Sequence, residues 1–570
     1  MKKKKFQISP KVARWIKKRL PLFLICFAVL IGIGFVASFA TSPGNGGGGG
    51  GSTRPPGTVL GPSSGENAPI VPELPEEPDE GDEEDLVYSE GLEYKSNGDG
   101  TCSVIGIGTF TGTDLVIPSK SPEGDKVVKI GELAFLDEAH LLSVKLPSTL
   151  KDLGLHCFKG CTCLTTFVIP DSVTSVSFGA LEGCLAIESI TLPFLGKSKT
   201  DESLTFLGYI WGAAKCAENS SYVPPALTDV TLTGDRCPAY GFYGLTYLER
   251  VNLSDEVTEI EVAAFHSCKA LESSLKTTLF HFPRDLKTIA VNAFYKCSNF
   301  EYLLFPEGLE TIGYGSFAEC TKIEVLELPD SVKKVEHYAF SGATALRIAD
   351  LGDGLLYLGR GSFDGCDKLS NYVVPPHLDY VGEKCLPSHL EPTYVSDWLY
   401  YCSSTGSFSI REGTYGIVYE ACRGVKSIHL PSSLKIISNR AFYCNNALKT
   451  VTCDPECVLD SVKYYAFDGC TSLTSFSVPV RMIEYNAFSG CSQLQNFSVS
   501  AVCNCIGSNA FSRCSALTSV DFESCTYWYV IDSSLPISSG LLEDPGEAAT
   551  LLTETYVSKQ WNYIFSGSND

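Results

Sequence analysis

Residues 466–491 read AFDGCTSLTSFSVPVRMIEYNAFSGC, and the fold can be argued from this stretch alone. Leu473, Phe476 and Val478 set an L-x-x-φ-x-φ pattern, in which φ is apolar. Its period-two part around Phe476 predicts a short strand with alternate side chains turned inward. Pro479 ends ladder pairing. Ile483 supplies a second inward residue on the return path, and Ala487-Phe488 fill the convex half of the coil. One unit of this size cannot bury its own apolar face, so such units must stack and share a continuous core.

The same spacing recurs on both sides of that stretch. Aligned on an aromatic or apolar anchor that usually follows Ala, the chain presents Phe135, Phe158, Leu181, Tyr243, Phe265, Phe294, Phe317, Phe340, Phe363, Leu386, Cys422, Phe442, Phe467, Phe488 and Phe511. Seven of the intervals are 23 residues, and the rest are 20–36 apart from a single one of 62. A fixed period in the twenties predicts a repeat solenoid, mainly β with short convex turns, of about fifteen coils. At about 4.8 Å per coil the stack is roughly 70 Å long.

Units such as IGYGSFAECTKIEVLELPDSVKKVEHYAF at 312–340 and SVKYYAFDGCTSLTSFSVPVRMIEYNAF at 461–488 resemble the BspA-like leucine-rich repeat family of surface proteins. Leu92 to Pro118, with an Asn97-Gly98-Asp99-Gly100 turn, is similar to that family's opening hairpin. The resemblance covers residues 86–530. It implies a leucine-rich-repeat horseshoe at the cell surface that binds host or neighbouring-cell molecules, and it implies no enzyme activity.

Charge is unevenly distributed. The net charge is −22, yet residues 1–19 carry nine Lys or Arg and no acid, leaving 35 basic against 66 acidic side chains in the remainder. An acidic body speaks against broad nucleic-acid binding, which needs a basic surface. Leu22 to Ala40 contains no charge and is long enough, at about 1.5 Å per residue, to span a bilayer's hydrocarbon core. The expected organisation is a basic cytoplasmic segment at 1–19 and a transmembrane signal-anchor helix at 20–40. A Gly-, Pro- and acid-rich linker at 41–85 and a cap hairpin at 86–130 follow. The solenoid occupies 131–530, with insertions near 194–226 and 387–410, and a second cap occupies 531–570. The body would then face outward from the cell membrane, or be secreted if the segment is a signal peptide cleaved after Ser38-Phe39-Ala40.

Of 24 cysteines, nine stand three residues after the anchor: Cys161, Cys184, Cys268, Cys297, Cys320, Cys366, Cys470, Cys491 and Cys514. Stacked coils would place such side chains parallel and about 4.8 Å apart. A disulfide needs Cβ atoms about 3.8 Å apart with the side chains aimed at each other. These nine are therefore expected to be a buried thiol ladder bonding backbone groups of the neighbouring coil. Cys216, Cys237, Cys402, Cys422, Cys453 and Cys457 are the better disulfide candidates. No paired C-x-x-C motif, H-E-x-x-H, G-x-S-x-G or phosphate-binding loop occurs, and no two of the eight His lie at i, i+4, so no cofactor or metal is expected. Asn219, Asn252 and Asn496 head Asn-x-Ser sequons.

Function then rests on surface. The residues flanking the middle φ point outward on a sheet expected to be the concave, ligand-binding one. In the middle coils these are Tyr302, Leu304, Val325, Glu327, Ile348, Asp350, Asn371 and Val373. Tyr302, Leu304, Val325, Ile348 and Val373 make the candidate binding patch. Towards the C-terminus the outward positions are Thr450, Thr452, Ser475, Ser477, Asn496, Ser498, Ser519 and Asp521, a hydroxyl and amide strip. The expectation is adhesion to an extracellular protein or glycan. Two rival readings are a surface-layer or cell–cell packing component and an enzyme with an unrecognised site in an insertion.

Overall fold

The computed structural model describes residues 88–563 except 274–279, 388, 391–392, 403–404, 525–527 and 532–535. The anchor segment and linker expected at 20–85 lie outside the described residues. Among the described residues no helix is long and apolar enough to cross a membrane.

The L-x-x-φ-x-φ stretches form short parallel strands, as period-two alternation dictates. Asp229–Leu232 lies between Ser189–Leu192 and Arg250–Leu253, in register along all four residues. Val325–Glu327, Ile348–Asp350 and Asn371–Val373 make a three-stranded group, and six strands from Ser407–Ser409 to Ser519–Phe522 make another. The return path carries a second parallel sheet where the sequence promised only a single inward residue. Glu259–Ile260, Thr288–Ile289, Thr311–Ile312, Lys334–Val335, Tyr357–Leu358 and Tyr380–Val381 pair in order. Each coil brings one polar–apolar pair to the same register, and that is enough to extend the ladder.

The convex half is built on the anchors. Phe242, Phe265, Phe294, Phe317, Phe340 and Phe363 stack ring on ring at 4.8–5.5 Å. Phe442, Phe467, Phe488 and Phe511 do the same at 4.7–5.6 Å. Along these two runs the anchor amides up to Phe488 donate to the residue before the next anchor, as from Phe294 to Ser316 O at 2.8 Å. The anchor expected at Tyr243 is Phe242: Phe242 is fully buried, whereas Tyr243 stacks on His266 at the surface. The turn demands left-handed backbone two residues either side of the anchor. Gly160, Gly342, Gly365, Gly469 and Gly490 meet that demand after it, and Asn292, Asn486 and Asn509 before it.

The chain makes about 18 turns, more than the fifteen expected. The extra turns come from the two presumed insertions, which fold as coils of the stack. In the first, the 3-10 helix Leu207–Trp211 replaces a turn. Its Ile210 O accepts from Leu181 N at 2.8 Å, and its Leu207 N donates to Gly241 O at 2.9 Å. Asn219, read as a sequon, is buried there; its Oδ1 accepts from Gly208 N and its Nδ2 donates to Tyr243 O. In the second, Cys402 takes the anchor place and donates to Ala421 O at 2.9 Å.

Antiparallel pairs close the ends. Glu93–Ser96 pairs with Thr101–Gly106, the hairpin legible from its Asn-Gly-Asp-Gly turn, and Thr101–Gly106 then starts the second sheet. Trp561–Tyr563 pairs with Cys505–Ile506 and with Trp528–Val530, and Trp528 and Trp561 seal the last coil.

Candidate functional site

The nine ladder cysteines have one environment. All are 0–3% exposed, and each Sγ lies 3.0–3.3 Å from the carbonyl oxygen of the preceding coil's anchor. Cys297, for example, donates to Phe265 O, and Cys320 to Phe294 O. Burial pushes the thiols of Cys268, Cys297, Cys320 and Cys366 up, which keeps them protonated as donors. In the Phe442 coil Asn445 takes the place, donating to Cys422 O and Val425 O. The column satisfies turn carbonyls and presents nothing to solvent. None of the described cysteines is in a disulfide, including the candidates Cys216, Cys237, Cys402, Cys422, Cys453 and Cys457.

The first irregular coil holds a cavity of about 20 Å³ beside Ser198, Lys199, Asp201, Asp235 and Arg236. That is room for about one water. Its charges are spent locally: Lys199 pairs with Asp235 at 3.6 Å, Lys197 with Asp201 at 3.8 Å, and Arg236 with Glu261 at 2.6 Å. Bonds from the amides of Leu204 and Ser203 hold the Asp201 carboxyl below the usual carboxylate range. Asp397 of the second irregular coil meets Nδ1 of His377 on the coil before it, and His377 Nε2 lies 3.1 Å from Asp379. Among the described residues no group of three His, Cys, Asp or Glu is placed to hold a metal ion.

The outward face of the first sheet carries the predicted patch. Val325, Ile348 and Asn371 share one register row, which Tyr302 extends by bridging Val325, and Glu327, Asp350 and Val373 share the next. The inward residues Leu303, Leu326 and Ala349 are at most 1% exposed, which places the named residues on the other face. Leu304 is 64% exposed, a large apolar side chain in open solvent. Tyr302, Val325 and Val373 are half-buried, and the Tyr302 hydroxyl lies 3.3 Å from Glu327 Oε2. Ile348 does not join them, being 3% exposed. It stands on the middle strand of three, where both outward positions are covered, since Asp350 is 7% exposed. The accessible apolar side chains are therefore Tyr302 and Val325 in the first row, Val373 in the second, and Leu304 two residues beyond Tyr302.

The C-terminal strip also faces outward: Thr450, Thr452, Ser475, Ser477, Asn496 and Asp521 are exposed, and Ser498 and Ser519 half-buried. Sequence reasoning missed two further members of that face, Ser427, whose hydroxyl donates to Ser407 Oγ at 2.7 Å, and His429, whose ring bridges Thr452 and Asp454 at 3.0 Å each. Both flank the inward Ile428, as Thr450 and Thr452 flank Val451, so the same alternation would also have found them.

A model of the BspA type leucine rich repeat region, in six copies, matches residues 100–206, 228–281, 271–390 and 394–531. The gaps between those matches fall in the two irregular coils. Among solved structures the chain is similar to a leucine rich cell surface protein from Faecalibacterium prausnitzii, at 20% identity over 77% of this chain and 94% of that one, with a TM-score of 0.28. It is also similar to a leucine-rich repeat protein from Bacteroides ovatus, at 21% identity over 77% and 94%, TM-score 0.24. A third likeness is to the pneumococcal vaccine antigen PcpA, at 17% identity over 77% and 87%, TM-score 0.21. No curated protein matches.

Proposed function

Because this chain belongs to the BspA-type leucine-rich repeat family, we propose that it is a cell-surface binding protein without catalytic activity, taking up an extracellular protein or glycan on the outward face of its first sheet. Residues 20–40 tether it to the cell membrane in this reading, supported by nineteen uncharged residues behind nine basic ones.

The observation that carries the proposal is Leu304. An aliphatic side chain 64% exposed, two residues beyond half-buried Tyr302, which itself bridges half-buried Val325, leaves apolar area in water that a partner would cover. Aromatic and aliphatic anchors of this kind contribute about 1–3 kcal/mol each when buried in an interface. The test is binding of residues 86–570 to intact host or neighbour-cell surfaces by wild type and by the double variant Tyr302→Ser, Leu304→Ser. Binding should fall at least tenfold with the melting temperature unchanged. Unchanged binding would show that the patch is ordinary exposed surface and overturn the assignment. Membrane fractionation of the full chain, with and without residues 20–40, tests the tether separately.

A further inference from the structure

The cysteines divide by their place in the coil. The nine ladder thiols are all enclosed, stand on separate coils and donate to backbone carbonyls of the preceding coil, whereas Cys453 and Cys457 are neighbours across a single turn. After each strand of the first sheet the chain makes a short φ-x-x-x-φ turn whose flanks, such as Leu328 and Val332, Leu351 and Leu355, or Leu430 and Leu434, are both buried. Cys453 is paired in register with Leu430. The turn amide of Cys457 donates to Asp454 O at 3.0 Å, as that of Leu434 donates to Pro431 O at 3.2 Å. The two thiols thus occupy the seats of a packed aliphatic pair across one turn. Coil-to-coil neighbours in the ladder lie on separate coils and are enclosed on both sides. Cys453 is only half-buried, so a small oxidant can reach it, while Cys457 is enclosed.

We propose that Cys453 and Cys457 form a redox-active dithiol that closes to an intramolecular disulfide across the turn Cys453-Asp454-Pro455-Glu456-Cys457. The oxidant is a small-molecule disulfide of the glutathione type. The Cys453 thiolate attacks one of its sulfurs, forming a mixed disulfide and releasing one glutathione thiol. The Cys457 thiolate then attacks the Cys453 sulfur and expels the second glutathione. The protein gives up two electrons and two protons, and the oxidant is reduced to two thiols. Burial pushes the Cys457 thiol up to about 12, so the closing step is slow and accelerates as pH rises. The clamp fixes Asp454, whose Oδ1 lies 3.0 Å from His429 Nε2 and whose Oδ2 accepts from Ser432 N at 3.1 Å. Oxidation therefore sets the rigidity of the rim beside the exposed Thr452.

The full chain, equilibrated natively in excess oxidised glutathione, is alkylated, digested without reduction and read by mass spectrometry. The peptide holding both residues should lose two hydrogens and resist alkylation, while the nine ladder thiols take up label only after denaturation. Cys457→Ser should stop at a Cys453–glutathione adduct. Both thiols alkylated in the wild type, Cys453 linked to another cysteine, or the same two-hydrogen loss in Cys457→Ser would each overturn the proposal. The wild-type peptide alone decides the matter if the variant fails to fold.

Discussion

From Phe242 to Phe363 every coil is joined to the next in the same way: stacked rings, an anchor-to-turn backbone bond and a parallel strand pair on the return path. Between Tyr380 and Ser407 all three interrupt. Among the described residues Asn371–Val373 and Ser407–Ser409 do not pair, nor do Tyr380–Val381 and Trp398–Leu399. The Leu386 amide bonds the Tyr400 hydroxyl at 3.3 Å instead of a carbonyl. The antiparallel hairpin of Tyr394–Val395 and Trp398–Leu399 begins a second block, as Glu93–Ser96 and Thr101–Gly106 begin the first. Side chains hold the seam: Trp398 Nε1 donates to Leu378 O at 2.8 Å, and Asp397 meets both His377 and Leu378 N. A repeat solenoid behaves as a sum of units and interfaces. Exchanging a ladder for a few side-chain bonds makes this interface the weak one.

The largest effect should come from the regular run. Phe294→Ala removes a ring stacked on both sides and should cost about 3–5 kcal/mol, read from the denaturant midpoint. A cost near that of a surface substitution would mean the spine is not a continuous core.

Gly416→Ala strikes the seam. A Cβ on Gly416 would lie 2.4 Å from the Trp398 ring, which is itself 1% exposed and has no room to retreat. The expected loss is about 1–3 kcal/mol, with the tryptophan emission of the seam changed. An unaltered spectrum would show that Trp398 is not seated there.

Cys320→Ser should cost less, about 1–2 kcal/mol, because a hydroxyl still reaches Phe294 O but fills the space poorly. Substitution at an exposed cysteine such as Cys163 is the neutral control.

The smallest effect is that of pH on the seam. The hydrogen bond to Asp397, and then Asp379, raise the His377 pKa above its ordinary value, with the Tyr415 ring edge-on beside it. A group with a raised folded pKa stabilises fully below its unfolded value, about 6.5, and loses that contribution as pH rises through the folded value. His377 is 51% exposed, so the contribution is below about 1 kcal/mol. The melting-temperature difference between wild type and His377→Gln should shrink from acid to alkaline pH; a constant difference would remove the imidazolium from the account.

The spine, the thiol column and the outward register were legible because each is a fixed offset from an anchor, and offsets survive translation from sequence to coil. Tyr243 misled because Phe242 precedes it and both are aromatic, so the offset alone chose wrongly by one. The second sheet was hidden because two-residue strands carry too little alternation to read. Ile348 was placed on the correct face, yet whether an outward residue is covered depends on neighbouring strands, which no single unit encodes. Residues 194–226 and 387–410 looked like loops because their lengths break the period; the bonds of Leu207, Ile210 and Cys402 that restore the stack are tertiary.

Native-state hydrogen exchange of the full chain, resolved by peptide, tests the seam most directly. The account predicts slow, cooperative exchange in peptides from Thr288–Ile289 to Tyr357–Leu358 and from Ser427–Leu430 to Asn496–Val499, with the amides of 386–402 opening first and separately. Protection in 386–402 equal to that of the Phe294 and Phe317 coils would contradict it, making the solenoid one cooperative stack from cap to cap.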